Sequence, residues 1–168
     1  MKKKVKISLR SAQSISLPAP GEEAEFLNEL LSAEPLTTKI ESEGEFEYKN
    51  GNIKISYEES EATGLDNCVT TVTFSDTEPG RVFIYRAGPV KTALMFCEGQ
   101  RYISVYETEY GSFEVGIHTE KCDNKIGIDG GELSVVYNVE LRGSEAEHTE
   151  LYMKVRFLDE EHGDQDRT

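Results

Sequence analysis

The sequence predicts an all-β protein, a closed antiparallel barrel of about eight strands. Three observations carry this. Glu41, Glu43, Glu45 and Glu47 alternate with Ser42, Gly44, Phe46 and Tyr48, the period of two of a strand with one wet and one packed face. The same beat recurs along most of the chain. Short turn signals separate the alternating runs, and tight turns between successive strands imply up-and-down antiparallel pairing.

Ten segments read as strands, near 4–14, 37–49, 52–60, 68–75, 81–87, 90–97, 101–108, 112–119, 131–141 and 149–158. Long bent segments counted twice would reduce them to about eight. Asn50-Gly51 is a hairpin signal, because both residues tolerate positive φ. Glu78-Pro79-Gly80, Gly88-Pro89, Glu98-Gly99 and Asp129-Gly130-Gly131 punctuate the later strands. In the last strand Leu151, Met153, Val155 and Phe157 alternate with Tyr152, Lys154 and Arg156. One apolar face per strand favours closure over a two-layer sandwich. The apolar alternates Val5, Ile7, Leu9, Ile40, Phe46, Ile53, Ile55, Val135, Leu151, Met153 and Val155 form the expected interior.

Two stretches depart from that pattern. Phe26, Leu27, Leu30 and Leu31 have helical spacing behind an acidic first turn, and Pro35 ends the run, so a short helix is expected over 22–31. In 81–97 both faces are apolar: Val82 and Ile84 oppose Phe83 and Tyr85, and Leu94 and Phe96 oppose Met95 and Cys97. A cover is therefore expected on that outer face, either the 22–31 helix or a second copy in a homodimer. Residues 1–158 read as one barrel domain, followed by a polar tail over 159–168 that is expected to be disordered.

Composition narrows the function classes. The 168 residues include 18 Lys and Arg against 32 Asp and Glu, a formal charge of -14. So acidic a surface repels phosphate backbones and anionic lipid, so neither nucleic acid nor membrane is an expected partner. No apolar run suits a signal peptide or a spanning helix. Cys68, Cys97 and Cys122 are sparse and unpaired in motif, the usage of reduced thiols in a cytoplasm.

Catalytic signatures are missing. His118, His148 and His162 have no partner at ligand spacing, so no metal site and no cofactor is expected. No cysteine or serine sits beside a recognisable base, and no catalytic residue is assigned. The Glu41–Glu47 row reads as a solvated face that also discourages edge-to-edge pairing. Arg86 is the exception, because it shares a face with Val82 and Ile84. A guanidinium buried there costs several kcal/mol unless acceptors meet it. Glu58, Glu59 and Glu107 are candidate partners, and Tyr57, Tyr106 and Tyr137 can add hydroxyls. Two readings stay open. Arg86 is either half of an internal ion pair or the clamp of a bound ligand.

Tyr57-Glu58-Glu59, Thr70-Thr71-Val72, Arg86-Ala87-Gly88, Met95-Phe96, Gly99, Tyr106-Glu107-Thr108-Glu109-Tyr110-Gly111, Thr119 and Leu133-x-x-x-Tyr137 form a set. With it the chain resembles the YwiB-like family of bacterial proteins, a domain of unknown function. The resemblance spans most of 4–158 and implies a calycin-like, lipocalin-like barrel. Barrels of that class often hold small apolar ligands. The 16–35 insertion departs from compact members. The expected role is a non-catalytic barrel binding a small apolar or anionic ligand, with Arg86, Tyr57, Tyr106 and Tyr137 lining the site. The alternative is an interaction module with a filled barrel, acting through its outer face as a homodimer.

Overall fold

The computed structural model describes residues 1–15, 36–59, 67–108, 111–141 and 144–158. Ten strands make up the described secondary structure: β1 (Lys2–Ile15), β2 (Leu36–Lys49), β3 (Asn52–Glu58), β4 (Val69–Ser75), β5 (Glu78–Ala87), β6 (Thr92–Cys97), β7 (Arg101–Thr108), β8 (Gly111–Asn124), β9 (Gly131–Leu141) and β10 (Ser144–Phe157). They build one antiparallel sheet in the order β6-β5-β4-β3-β2-β1-β10-β9-β8-β7. The chain meanders outward from a central β1–β10 pair, and the sheet ends at β6 and β7.

The β2–β3 hairpin turns where expected. Asn50 has φ 53° and Gly51 φ 79°, the paired positive values of a type I′ turn, whose twist matches that of the flanking strands. Tyr48 and Asp76 then clip the hairpin to the β4–β5 turn, the phenol donating to the carboxylate at 2.6 Å.

The apolar alternates all point to one face. Val5, Ile7, Phe46, Ile53, Ile55, Val135, Met153 and Val155 are buried, and Leu9, Ile40 and Leu151 pack against them partly buried. Glu41, Glu43 and Glu45 face solvent, and Lys6 reaches Glu41 at 3.0 Å.

The expected closed eight-stranded barrel is corrected by the structure. Ten strands are present among the described residues, and the sheet is an open curl rather than a closed cylinder. The segments read as bent halves of longer strands each form a separate ladder. The split has a local cause. β6 and β7 are joined by a tight turn, with Gln100 N–H donating to Cys97 O at 2.9 Å. β7 then pairs along its length with β8. Between β6 and β7 a single bridge remains, Lys91 with Glu107, closed by two backbone bonds of 2.9 Å. Midway along the split the Ser104 hydroxyl donates to Ala93 O at 2.5 Å. A side chain thus replaces the ladder.

The predicted helix over 22–31 and the tail over 159–168 lie outside the described residues. Among the described residues there is no helix, and none is long and apolar enough to cross a membrane.

Candidate functional site

Interior chemistry changes near one end of the curl. Reading the inward positions of β3 gives Ile53, Ile55, then Tyr57; of β4, Phe74, Val72, then Thr70. On β5 the order is Val82, Ile84, then Arg86, and on β6 Phe96, Leu94, then Thr92. Each strand thus presents two apolar residues and then one polar residue at the same level. The register ties these last residues into a row, Tyr57 opposite Thr70, Thr70 opposite Arg86, and Arg86 opposite Thr92. From the Lys91–Glu107 bridge, one step inward along each strand sets Thr92 facing Tyr106 across the split, since successive residues alternate faces. A polar belt therefore runs through β3, β4, β5, β6 and β7.

A close backbone approach seats Tyr57. Its partner across β2–β3 is Gly44. A Cβ on Gly44 would lie 2.3 Å from Ser56 O, 2.8 Å from Ile7 Cδ1 and 3.1 Å from Tyr57 Cβ. Only glycine fits there.

Of the three carboxylates proposed to meet Arg86, the structure selects Glu59. Its side chain is 1% exposed and its Oε1 lies 3.9 Å from Arg86 Nε, with the Arg86 side chain 21% exposed. Thr70 Oγ1 donates to the same carboxylate oxygen at 2.7 Å. Glu58 is exposed, and Glu107 is exposed with its backbone bridged to Lys91. The ion pair is loose, and Arg86 Nε has no hydrogen-bond partner among the described residues. Neither has the hydroxyl of its register neighbour Thr92, which is 3% exposed.

The three tyrosines converge on the same end. Burial pushes the Tyr57 phenol far above its ordinary value, helped by the Glu59 carboxylate and opposed by Arg86. Tyr106 is raised by burial, against the pull of Arg86. Tyr137 is pushed up to about 12, first by burial and then by Tyr106, again opposed by Arg86. Tyr137 also leans on Phe96, ring centroids 4.7 Å apart. So Arg86, Tyr57, Tyr106 and Tyr137, spread over eighty residues of sequence, are brought together, and all three phenols are neutral donors at neutral pH.

Sequence reasoning missed Thr70, Thr92, Thr149 and Glu147. Thr149 is 1% exposed and sits opposite Tyr137; its hydroxyl donates to Glu147 Oε1 at 2.8 Å. A signal was available. Each of Thr70, Thr92 and Thr149 holds a buried position that follows a run of apolar inward residues in its strand, and that break in composition marks the belt.

The histidines lie apart from it. His148 Nδ1 is 2.6 Å from Asn138 Oδ1, and Asn138 donates to Glu120 at 2.7 Å. His118 stands opposite Asn138 on β8, and His162 is outside the described residues. No group of three or more His, Cys, Asp or Glu that could hold a metal ion occurs among the described residues. Cavities walled by described residues occur elsewhere. One of about 460 Å³ lies outside β2–β5 against Lys54, Thr73, Arg81 and Phe83, and one of about 430 Å³ lies by Arg10, Lys39 and Tyr152.

The model of a domain of unknown function, DUF1934, matches residues 31–153. The chain belongs to that family. Its fold is similar to the crystal structure of the ywiB protein from Bacillus subtilis, with 17% identity, a TM-score of 0.67, and coverage of 91% of this chain and 92% of that one. At that identity the likeness is one of fold. No curated protein matches the chain. DUF1934 membership and the YwiB-like fold bear out the family resemblance read from the sequence, and neither carries an activity.

Proposed function

We propose that this DUF1934 protein is a non-catalytic small-ligand-binding protein whose site is the polar end of its curled sheet. Arg86 and Thr92 are the anchors, and Tyr57, Tyr106 and Tyr137 form the walls. One observation carries the reading: on two register neighbours the buried polar atoms Arg86 Nε and Thr92 Oγ1 lack hydrogen-bond partners among the described residues. An unpaired buried donor costs about 1–3 kcal/mol, and more when it is charged. A fold that needed Arg86 only as a counter-ion for Glu59 would seat it closer than 3.9 Å.

The test is native mass spectrometry of the protein as purified, beside the double variant Arg86→Met, Glu59→Gln. The pair of changes removes both charges together, so folding is retained while the anchor is lost. A small bound mass on the wild type and none on the variant supports the reading. A wild type that carries no bound mass, and takes up none from a panel of small uncharged and anionic compounds, overturns it.

A second reading has its own observation. On the outer face Phe83, Tyr85, Ile103 and Val105 are 44%, 51%, 58% and 46% exposed. They lie on β5 and β7, on either side of β6, and form an apolar band over the split. Residues 78–108 carry Arg81, Arg86, Lys91 and Arg101 against Glu78, Glu98 and Glu107, a near-neutral stretch in a chain of charge -14. Two copies meet there with the least repulsion. Lys91 and Glu107 stand side by side at the edge of the band, and a two-fold axis sets each against its opposite in the other copy. The proposed occupant is therefore a second copy of this chain.

A further inference from the structure

The charges around Arg86 decide what kind of ligand the site accepts, and the answer differs from the anion that a lone arginine suggests. This rests on the reading of that end of the sheet as a ligand site. Among the described residues one guanidinium, that of Arg86, faces this end. Against it stand two carboxylates. Glu59 is held by Thr70 on one side. Glu147 is held by Thr149, whose register partner is Tyr137, on the other. The Glu59 side chain is 1% exposed, so its charge acts on the site with little screening. Counted over the described residues, one positive against two negative groups leaves that end of the sheet net negative. A phosphate or carboxylate entering it gains Arg86 and meets both carboxylates.

The unpaired atoms specify the rest. Arg86 Nε is a donor only, so it needs an acceptor. Thr92 Oγ1, one strand over at the same level, can donate and accept. Tyr57, Tyr106 and Tyr137 surround them with neutral rings. We infer that the site takes an uncharged ligand group with a hydrogen-bonding oxygen and an adjacent donor, a carboxamide or a hydroxyl, set against an aromatic wall. The oxygen accepts from Arg86 Nε, and the adjacent N–H or O–H meets Thr92 Oγ1. Arg86 Nε and Thr92 Oγ1 are then satisfied, and no further charge is brought in.

Acetamide and acetate are nearly the same size and differ in charge, so they test this directly. The probe is the Nε–H resonance of Arg86 in an isotope-labelled wild-type sample at neutral pH, titrated with each compound. Acetamide is expected to shift that resonance saturably, with at least tenfold tighter binding than acetate. In the Glu147→Gln variant, which keeps the acceptor for Thr149 and removes one negative charge, the preference for acetamide is expected to shrink about tenfold. Acetate binding as tightly as acetamide in the wild type overturns the inference and leaves the binding function standing. If neither compound shifts the Arg86 resonance, the inference and the ligand-binding reading both fall. An unchanged preference in Glu147→Gln overturns the charge argument, because the discrimination then has another source.

Discussion

The middle of the curled sheet and its polar end are made from the same strands, and they solve opposite problems. In the middle, Ile55, Val72, Ile84 and Leu94 are completely or almost completely removed from water and need no directional partner. One inward step along each strand, Tyr57, Thr70, Arg86 and Thr92 occupy equivalent positions, and each needs a hydrogen-bond partner. The backbone ladder is indifferent to the change, because pairing uses main-chain groups alone. What differs is the cost of error. A misplaced methyl group in the middle leaves a small cavity, whereas an unpaired charge at the end costs several kcal/mol. The comparison teaches that the polar end is supported by the apolar middle and contributes little to folding on its own.

The largest expected effect breaks the middle. Phe46 is fully buried and packs edge-on against Phe157 at 5.0 Å. Phe46→Ala is expected to cost about 3–5 kcal/mol, the lost burial plus the cavity left behind. Chemical denaturation checks it. A loss under about 1 kcal/mol would mean that the middle collapses around the gap and is not the rigid support described here.

Next comes the polar end. Arg86→Met leaves the Glu59 carboxylate buried without its cation, and a loss of about 3 kcal/mol is expected. Adding Glu59→Gln is expected to recover most of that. The recovery is the informative quantity, because it separates the charge partnership from the packing of the arginine stem. A double variant no more stable than Arg86→Met would show that the 3.9 Å contact contributes nothing.

The middle was legible in the sequence and the end only in part, for a physical reason. Burial of an apolar side chain depends on parity along its own strand, so the alternation of Ile53, Ile55 and Phe46 located the interior directly. Pairing of polar groups depends on register between strands, which parity does not contain. Arg86 was therefore visible as an anomaly, while the choice of Glu59 over Glu58 and Glu107 needed the fold. Thr92 has no such charge to draw attention, although it is as much an orphan as Arg86. The barrel count failed for a similar reason. All ten segments are strands, but β6 and β7 share one backbone bridge and a Ser104 side-chain bond in place of a ladder, and local periodicity carries no sign of that.

A pH titration sharpens the comparison further. Tyr137 titrates at about 12 in the fold, and an unfolded tyrosine at about 10. The folded state holds its proton longer, so stability is fully present below about pH 10 and falls as pH rises from there toward 12. Tyr57, raised still further, steepens the same fall. Cys122, packed against the apolar interior, is also pushed up by burial, so the contribution of the polar end is read from the difference between the wild type and Tyr137→Phe. Denaturation midpoints measured from neutral to strongly alkaline pH are expected to drop above about pH 10, with a smaller drop in Tyr137→Phe. Equal slopes in the two proteins would remove Tyr137 from the buried end.

The smallest effect on folding is expected on the other side of the same strands. Phe83 and Tyr85 alternate with Val82 and Ile84 on β5, yet they are 44% and 51% exposed where Val82 is 0%. Exposed positions gain little from burial on folding, so Phe83→Ser with Ile103→Ser is expected to change monomer stability by less than about 0.5 kcal/mol per site. Association is another matter. If the band is where two copies meet, these side chains are buried only in the dimer, and their loss falls on the dimer constant alone. Sedimentation equilibrium is expected to show a wild-type dimer that the double change converts to monomer. Lys91→Glu is expected to weaken the dimer as well, since under a two-fold it sets like charges against each other at Glu107, and Glu107→Lys in the same chain is expected to restore it. A wild type that stays monomeric at high concentration would leave the outer face with no role in self-association. The inward and outward faces of β5 would then differ only in what they cover, and not in what they bind.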